Sequence, residues 1–173
     1  MAAANLLDRV SGVKTDERFA WDLPDTYPSI ALAVQQPWAW LVVNDIKDVE
    51  NRSWRLPEKY LGQLVLIHAS ARPPFSIAAA RDIVCEIHAR YGLPGGLRYP
   101  PMGRGVGGIV GMARLVGCTH DHVSPWAAKG QWHFQLAEAR PLPFMRCKGA
   151  LGFFRVDYTP ARAEQGSLMG GAA

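Results

Sequence analysis

The order of hydrophobic and polar positions along the chain predicts a mixture of short strands and helices. Residues 29–34 alternate small and large apolar side chains, a pattern typical of a buried strand. Pro37 suits the first turn of a helix over residues 37–44, because the N–H group that proline lacks would be unpaired there anyway. Residues 76–91 place apolar side chains at the spacing of a second, longer helix.

The other apolar stretches predict strands separated by frequent turns. Residues 62–70 give the clearest pattern, since apolar and β-branched residues follow one another. Gly111 lies inside another such stretch, where a glycine indicates a close backbone approach or a bend. We predict an α+β fold, a small and mostly closed β-barrel of about six strands with two or three helices packed around it. Further strands are predicted over residues 47–54, 108–117, 132–137, 142–147 and 152–157.

Composition and charge narrow the class of protein. The 173 residues carry a net charge of +4, which is compatible with an anionic partner. The three cysteines are widely spaced and form no Cys-x-x-Cys pair, so we predict free thiols in a reducing cytosol, with no metal, cofactor or disulfide framework. The N-terminus is unlike a signal peptide and no stretch is apolar enough to span a membrane, so we expect a cytoplasmic protein.

The segment over residues 35–55 concentrates the candidate chemistry. It contains three of the six tryptophans, interleaved with charged residues, and this mixture suits a pocket that stacks a flat group and neutralises an anion. Trp38 and Trp54 are candidates for stacking on a base, which contributes about 1–3 kcal/mol per base in single-strand recognition. Core packing is the alternative for either tryptophan.

Four candidate site residues of this segment lie on the predicted strand over residues 47–54. Lys47 is a candidate phosphate ligand or base, and the planar fork of Arg52 suits phosphate. Asn51 is a candidate for a base edge, and Glu50 for a general base or a structural ion pair. Strand alternation points Lys47 and Asn51 to one face, and Glu50 and Arg52 to the other, so a single pocket would receive only one of these pairs.

Six short sequence blocks between roughly residues 29 and 156 match the pattern of one known protein family, in the same order along the chain. The first three are Gln36-Pro37-Trp38-Ala39, Lys47-x-x-Glu50-Asn51-Arg52-x-Trp54, and the stretch from Gly62 to Ser70. The others are Gly108 to Gly111, Trp132 to Phe134, and Lys148 to Phe153. In these blocks the chain resembles the ASCH domain family of the PUA-like superfamily, in its stand-alone bacterial form. The resemblance implies a PUA-like β-barrel that binds RNA or a nucleotide in a cleft beside its first helix.

The resemblance also implies two hydrolase activities. Some members cleave RNA, and a short bacterial branch is an amidohydrolase on N4-acetylcytidine with a catalytic lysine, threonine and glutamate. The lysine matches Lys47, but the threonine falls on Glu50, and residues 109–115, which match the strand of the glutamate, contain no acid. Deacetylation would therefore require that Glu50 or Ser70 has taken over a role, and Lys47, Glu50 and Ser70 form the candidate catalytic set.

Several histidines are further candidates. His68 and His133 would suit acid–base cleavage of RNA if they converged near Lys47, since one can remove a 2′-OH proton while the other protonates the leaving oxygen. A buried, hydrogen-bonded histidine is the alternative for each. His120 and His122 have no evident third ligand for a metal ion, so a surface position is the default.

Three classes of function stay open. The first is an RNA- or nucleotide-binding protein with a basic, aromatic-lined cleft for a single-stranded or flipped base; its candidate ligand-binding residues are Gln36, Trp38, Asn51, Arg52, Trp54, His68, His133 and Lys148. The second is a hydrolase, either a metal-independent ribonuclease or an amidohydrolase on N4-acylated cytidine. The third is a protein-interaction module in a larger complex.

The domain is predicted over residues 28–158, between an N-terminal extension, 1–27, and a disordered tail, 159–173.

Overall fold

A computed structural model describes residues 26–71, 82, 85–89 and 107–159. Nearly all of the predicted N-terminal extension, most of the predicted 76–91 helix and nearly all of the predicted tail lie outside these residues. Within them, no helix is long and apolar enough to cross a membrane. The elements are β1 (Ile30–Val34), α1 (Trp38–Val43), β2 (Val49–Arg52), a 3₁₀ turn (Glu58–Tyr60), β3 (Leu64–Ala69), the helical residues 85–89, β4 (Gly108–Thr119), β5 (Trp132–Arg146) and β6 (Phe153–Arg155).

The six strands form one sheet in the order β2-β5-β4-β3-β1-β6. Strands β1 and β3 run parallel, and the other neighbouring pairs are antiparallel. Helix α1 buries Ala39, Val42 and Val43 against this sheet, whereas Trp38 at its start is only half-buried. The α+β class and the expectation of about six strands are confirmed.

The sheet curls around an aromatic core. Strands β5 and β6 are four steps apart in the sheet, a distance of about 19 Å if the sheet were flat. The rings of Phe134 on β5 and Phe153 on β6 nevertheless stack with centroids 6.4 Å apart. Trp54 meets both rings edge-on, at 5.0 and 5.9 Å. The described residues thus form a half-barrel. No backbone ladder joins its end strands, β2 and β6, and the ring contacts across the seam between them come from Phe134 on β5 and from Trp54, just after β2.

Strand β5 corrects one prediction about the strands. Residues 132–137 and 142–147 are not two strands but parts of the single strand β5. Pro141 and Pro143 lie within this strand, although proline cannot donate to a ladder. The strand instead absorbs them through an irregular pairing with β4, in which the register shifts three times and Glu138 adopts a φ of 51°.

The predicted close approach at Gly111 is confirmed. A Cβ atom at this position would lie far inside van der Waals contact with the Val43 side chain and with the carbonyl oxygen of Arg140. Because one of the two obstacles is backbone on the neighbouring strand, it cannot move aside cheaply.

Replacing Gly111 with alanine should therefore lower the free energy of unfolding by about 1–3 kcal/mol, measured by urea denaturation. Gly117→Ala in the same strand is the matched control, because its Cβ would meet only the flexible end of the Gln135 side chain. Equal losses in the two variants would contradict the backbone clash at Gly111.

Candidate functional site

A cleft of about 860 Å³ opens where the two ends of the curled sheet approach each other. Its walls come from α1, from β2, from the loop between β4 and β5, and from the loop before β6. The sequence-predicted residues in its lining are Trp38, Lys47, Glu50, Asn51, Arg52, Trp54 and Ser70. The structure does not place Gln36, His68, His133 or Lys148 in this lining.

Lys47 reaches the cleft because it precedes β2 instead of belonging to it. Strand β2 begins only at Val49, and the backbone N–H of Lys47 donates to the Leu41 carbonyl oxygen at 3.1 Å. Strand alternation does not govern this position, so the expectation that Lys47 and Glu50 point apart is wrong. Lys47 Nζ lies 3.1 Å from Glu50 Oε2, and it also donates to the carbonyl oxygen of Val49.

Lys47, Glu50 and Arg52 form a continuous ionic cluster. One carboxylate oxygen of Glu50 accepts from Lys47, and the other lies 3.2 Å from Arg52 Nη2. Lys47 is 3% exposed and Glu50 is 8% exposed. Two cations and one carboxylate leave a net charge of +1 in this cluster. Lys129 adds a third cation to the described lining, in which Glu50 is the only acid, so the lining carries +2.

Arg52 also connects β2 with β1, the strand next to β6 at the far end of the sheet. Its Nη2 donates to the carbonyl oxygen of Ala33 in β1, and its guanidinium carbon lies 6.0 Å from the ring of Trp54. The Nε atom is buried and has no hydrogen-bond partner in the described part of the chain. An acceptor brought by a ligand would suit this donor, since an unpaired buried N–H costs free energy.

Tryptophan side chains form the apolar part of the cleft. Trp38 at the start of α1 meets Trp126 edge-on, with centroids 6.3 Å apart. Trp126 is 6% exposed and belongs to a core cluster with Leu41 and Ile87, yet its remaining surface lines the cleft. Core packing and a place in the cleft wall are therefore compatible for this residue.

The loop that carries Trp126 is clamped by Asn51 and His133, which face each other on β2 and β5. Asn51 Nδ2 donates to the Trp126 carbonyl oxygen at 2.9 Å, and Asn51 Oδ1 accepts from the Ala128 N–H at 3.1 Å. His133 Nε2 lies 2.9 Å from the Ala128 carbonyl oxygen, and Nδ1 faces the His122 N–H at 3.4 Å. The neutral Nε2–H tautomer of His133 satisfies both contacts.

The other sequence-predicted residues have roles away from the cleft. Gln36 Oε1 accepts from the Trp40 N–H at 3.2 Å. His68 is 2% exposed, and its Nε2 lies 3.2 Å from the backbone carbonyl oxygen of Cys147. Burial raises the pKa of the Cys147 thiol. Lys148 is exposed. The two histidines proposed for RNA cleavage, His68 and His133, are both buried against backbone, and neither lines the cleft that contains Lys47.

Sequence reasoning missed the parts of the cleft that come from loops. Lys129, Gln131 and Leu151 line it, and Leu151 is 98% exposed. No local pattern identifies these residues, because only the curl of the sheet brings both loops beside β2. In the part of the chain that the structure describes, no group of three or more His, Cys, Asp or Glu side chains could hold a metal ion.

Comparison with known families agrees with this architecture. A family model described as ASCH domain matches residues 32–148, which include most of the strands from β1 to β5 and most of the cleft lining. The chain belongs to the ASCH domain family. No curated protein matches the chain significantly. In this ASCH domain the cleft lies beside α1, the first helix of the described residues.

The clamp on the Trp126 loop can be tested by replacing Asn51 with alanine. The change removes both amide contacts, so the Ala128 N–H should exchange with solvent at least about tenfold faster, corresponding to about 1–3 kcal/mol of lost local stability. Hydrogen exchange followed by NMR measures this rate. Asn44→Ala is the matched control, since the Asn44 side chain bonds to the Trp40 carbonyl oxygen at the end of α1. Unchanged exchange at Ala128 in the Asn51 variant would contradict the clamp.

Proposed function

We propose that this ASCH domain, with a PUA-like barrel, binds a nucleotide unit of RNA, holding the base in the cleft between tryptophans. The observation that carries the proposal is the net-positive Lys47–Glu50–Arg52 cluster buried beside Trp38, Trp54 and Trp126. Aromatic faces and excess positive charge are the two features that single-stranded nucleic acids require of a binding groove.

The hydrogen-bonding capacity left in the cluster matches such a ligand. An ammonium group has three donors, and Lys47 uses two of them within the protein. The buried Nε of Arg52 is a further donor without a partner among the described residues. Glu50 has a lone pair left on each carboxylate oxygen, which suits an exocyclic amino group such as N4 of cytosine. A base edge or a nearby phosphate supplies acceptors for the cations, and a base amino group or a ribose hydroxyl supplies a donor for Glu50.

Replacing Lys47 with methionine should weaken binding of a short single-stranded RNA about tenfold at low salt. The substitution keeps much of the side-chain volume but lowers the charge of the cluster from +1 to 0. Fluorescence anisotropy over a salt series measures the effect, and the slope of log K against log salt should fall by about 0.7 if one phosphate contact is lost.

Lys59→Met is the matched control for this experiment, because Lys59 is exposed and lies outside the lining. Thermal unfolding of both variants separates lost binding from lost folding. Binding of the Lys47 variant that equals wild type, or binding by wild type that is insensitive to salt, would refute the proposal.

A second candidate function is hydrolysis of a modified nucleoside or of RNA. It is favoured by one observation, that Lys47, Glu50 and Ser70 all line the same cleft and that Lys47 touches Glu50. In this scheme Glu50 acts as the general base for an attacking water, and the lysine ammonium stabilises negative charge on the attacked group. Glu50 would then pass the proton taken from the water to the leaving amine or oxygen, and Ser70 would position the substrate.

If hydrolysis occurs, Glu50→Gln should lower turnover by at least about a hundredfold while leaving binding measurable, because general base catalysis contributes on that scale. Incubation with N4-acetylcytidine and with single-stranded RNA, each with EDTA, measures turnover by chromatography. Glu58→Gln, at an exposed carboxylate outside the lining, is the control. Absence of turnover by wild type on both substrates would leave the binding function alone.

A further inference from the structure

Beyond the cleft, the described surface carries a second group of aromatic and cationic side chains, which we call the outer stack: Arg55, His120 and Trp132. The His120 ring lies 3.7 Å from the Trp132 ring centroid, tilted by 40°. The Arg55 guanidinium carbon lies 5.7 Å from the same Trp132 ring. Arg55 and His120 are exposed, and Trp132 is half-buried.

Hydrogen bonding and packing fix the positions of His120 and Trp132 in the outer stack. His120 Nδ1 bonds to the Gln131 carbonyl oxygen at 3.0 Å, which fixes the imidazole beside Trp132. Trp132 in turn packs against the core inside the half-barrel. A rigid aromatic group on the surface loses little conformational freedom when a flat ligand stacks on it.

Its position makes it continuous with the cleft. Trp132 is the direct cross-strand partner of Arg52, and opposite residues of an antiparallel pair share one face of the sheet. Gln131, the neighbour of Trp132, belongs to the cleft lining. A ligand that leaves the cleft past Arg52 and Gln131 therefore meets the outer stack next.

The charges along this path favour an anionic backbone. Arg55 and Lys129, which is exposed at the edge of the cleft, contribute two positive charges, and Asp121, next to His120, contributes one negative charge. The sum is +1 along the path, in addition to the +1 of the buried Lys47–Glu50–Arg52 cluster. A guanidinium beside an aromatic ring is the combination that holds a phosphodiester and its attached base together.

We infer that the outer stack binds the nucleotide adjacent to the one in the cleft, so that the ligand of this domain is a strand of single-stranded RNA instead of a free nucleoside or mononucleotide. The inference rests on the proposed function of the cleft. Its chemistry is stacking on His120 and Trp132 together with an ionic contact from Arg55 to the linking phosphate.

The test compares a fluorescein-labelled octanucleotide RNA of mixed sequence with the four nucleoside 5′-monophosphates. Wild type should bind the octanucleotide at least about tenfold tighter than any monophosphate. Arg55→Met and His120→Ala should each remove about fivefold or more of the octanucleotide affinity and leave monophosphate binding unchanged. The Arg55 variant should also lower the salt slope by about 0.7. Arg155→Met, at an exposed arginine on β6, is the matched control.

The possible results separate this inference from the proposal for the cleft. If Arg55→Met and His120→Ala bind the octanucleotide like wild type while Lys47→Met binds it weakly, the outer stack is refuted and the cleft stands. If wild type binds the octanucleotide no more tightly than the monophosphates, the outer stack is likewise refuted. If wild type binds neither, both proposals fail.

Discussion

The guanidinium of Arg52, bonded to the Ala33 carbonyl and paired with Glu50, spans the seam of the half-barrel. A backbone ladder across this seam would have filled the space with paired strands and left no cleft. A side-chain bridge fixes the distance between β2 and β1 but leaves an opening beside it. The same residue thus links β2 to β1 and supplies charge to the cavity beside them.

Stability alone gives little reason for this arrangement. Removing an ion pair from water costs several kcal/mol per ion, which the mutual attraction offsets only in part, so apolar residues often stabilise such a site equally well. Two cations around one carboxylate also leave an excess positive charge inside the cluster. An anionic or acceptor-rich ligand would neutralise this excess charge. The free energy lost on burying the cluster would then serve ligand binding and not folding.

The sequence allowed prediction of most of the described elements and of most motif residues around the cleft, because these depend on local periodicity and on short motifs. Prediction failed where contacts between segments that are far apart in the sequence determine the position of a side chain. Strand alternation predicted that Lys47 and Glu50 point to opposite faces. The backbone N–H of Lys47 instead bonds to the Leu41 carbonyl oxygen in α1, and β2 begins only at Val49. Likewise Asn51, a candidate for binding a base edge, uses both polar atoms of its amide to bond to the distant loop that carries Trp126. Such long-range contacts leave no local pattern.

The loop between β4 and β5 connects the parts of the surface that binding would use. Its middle carries Trp126 into the cleft wall under the clamp of Asn51 and His133, and its ends place His120 and Trp132 in the outer stack. Because one clamped loop holds both surfaces, their spacing is set by the fold and not by the ligand. A preorganised spacing favours a ligand with a fixed repeat along its length, and a nucleic acid strand has such a repeat.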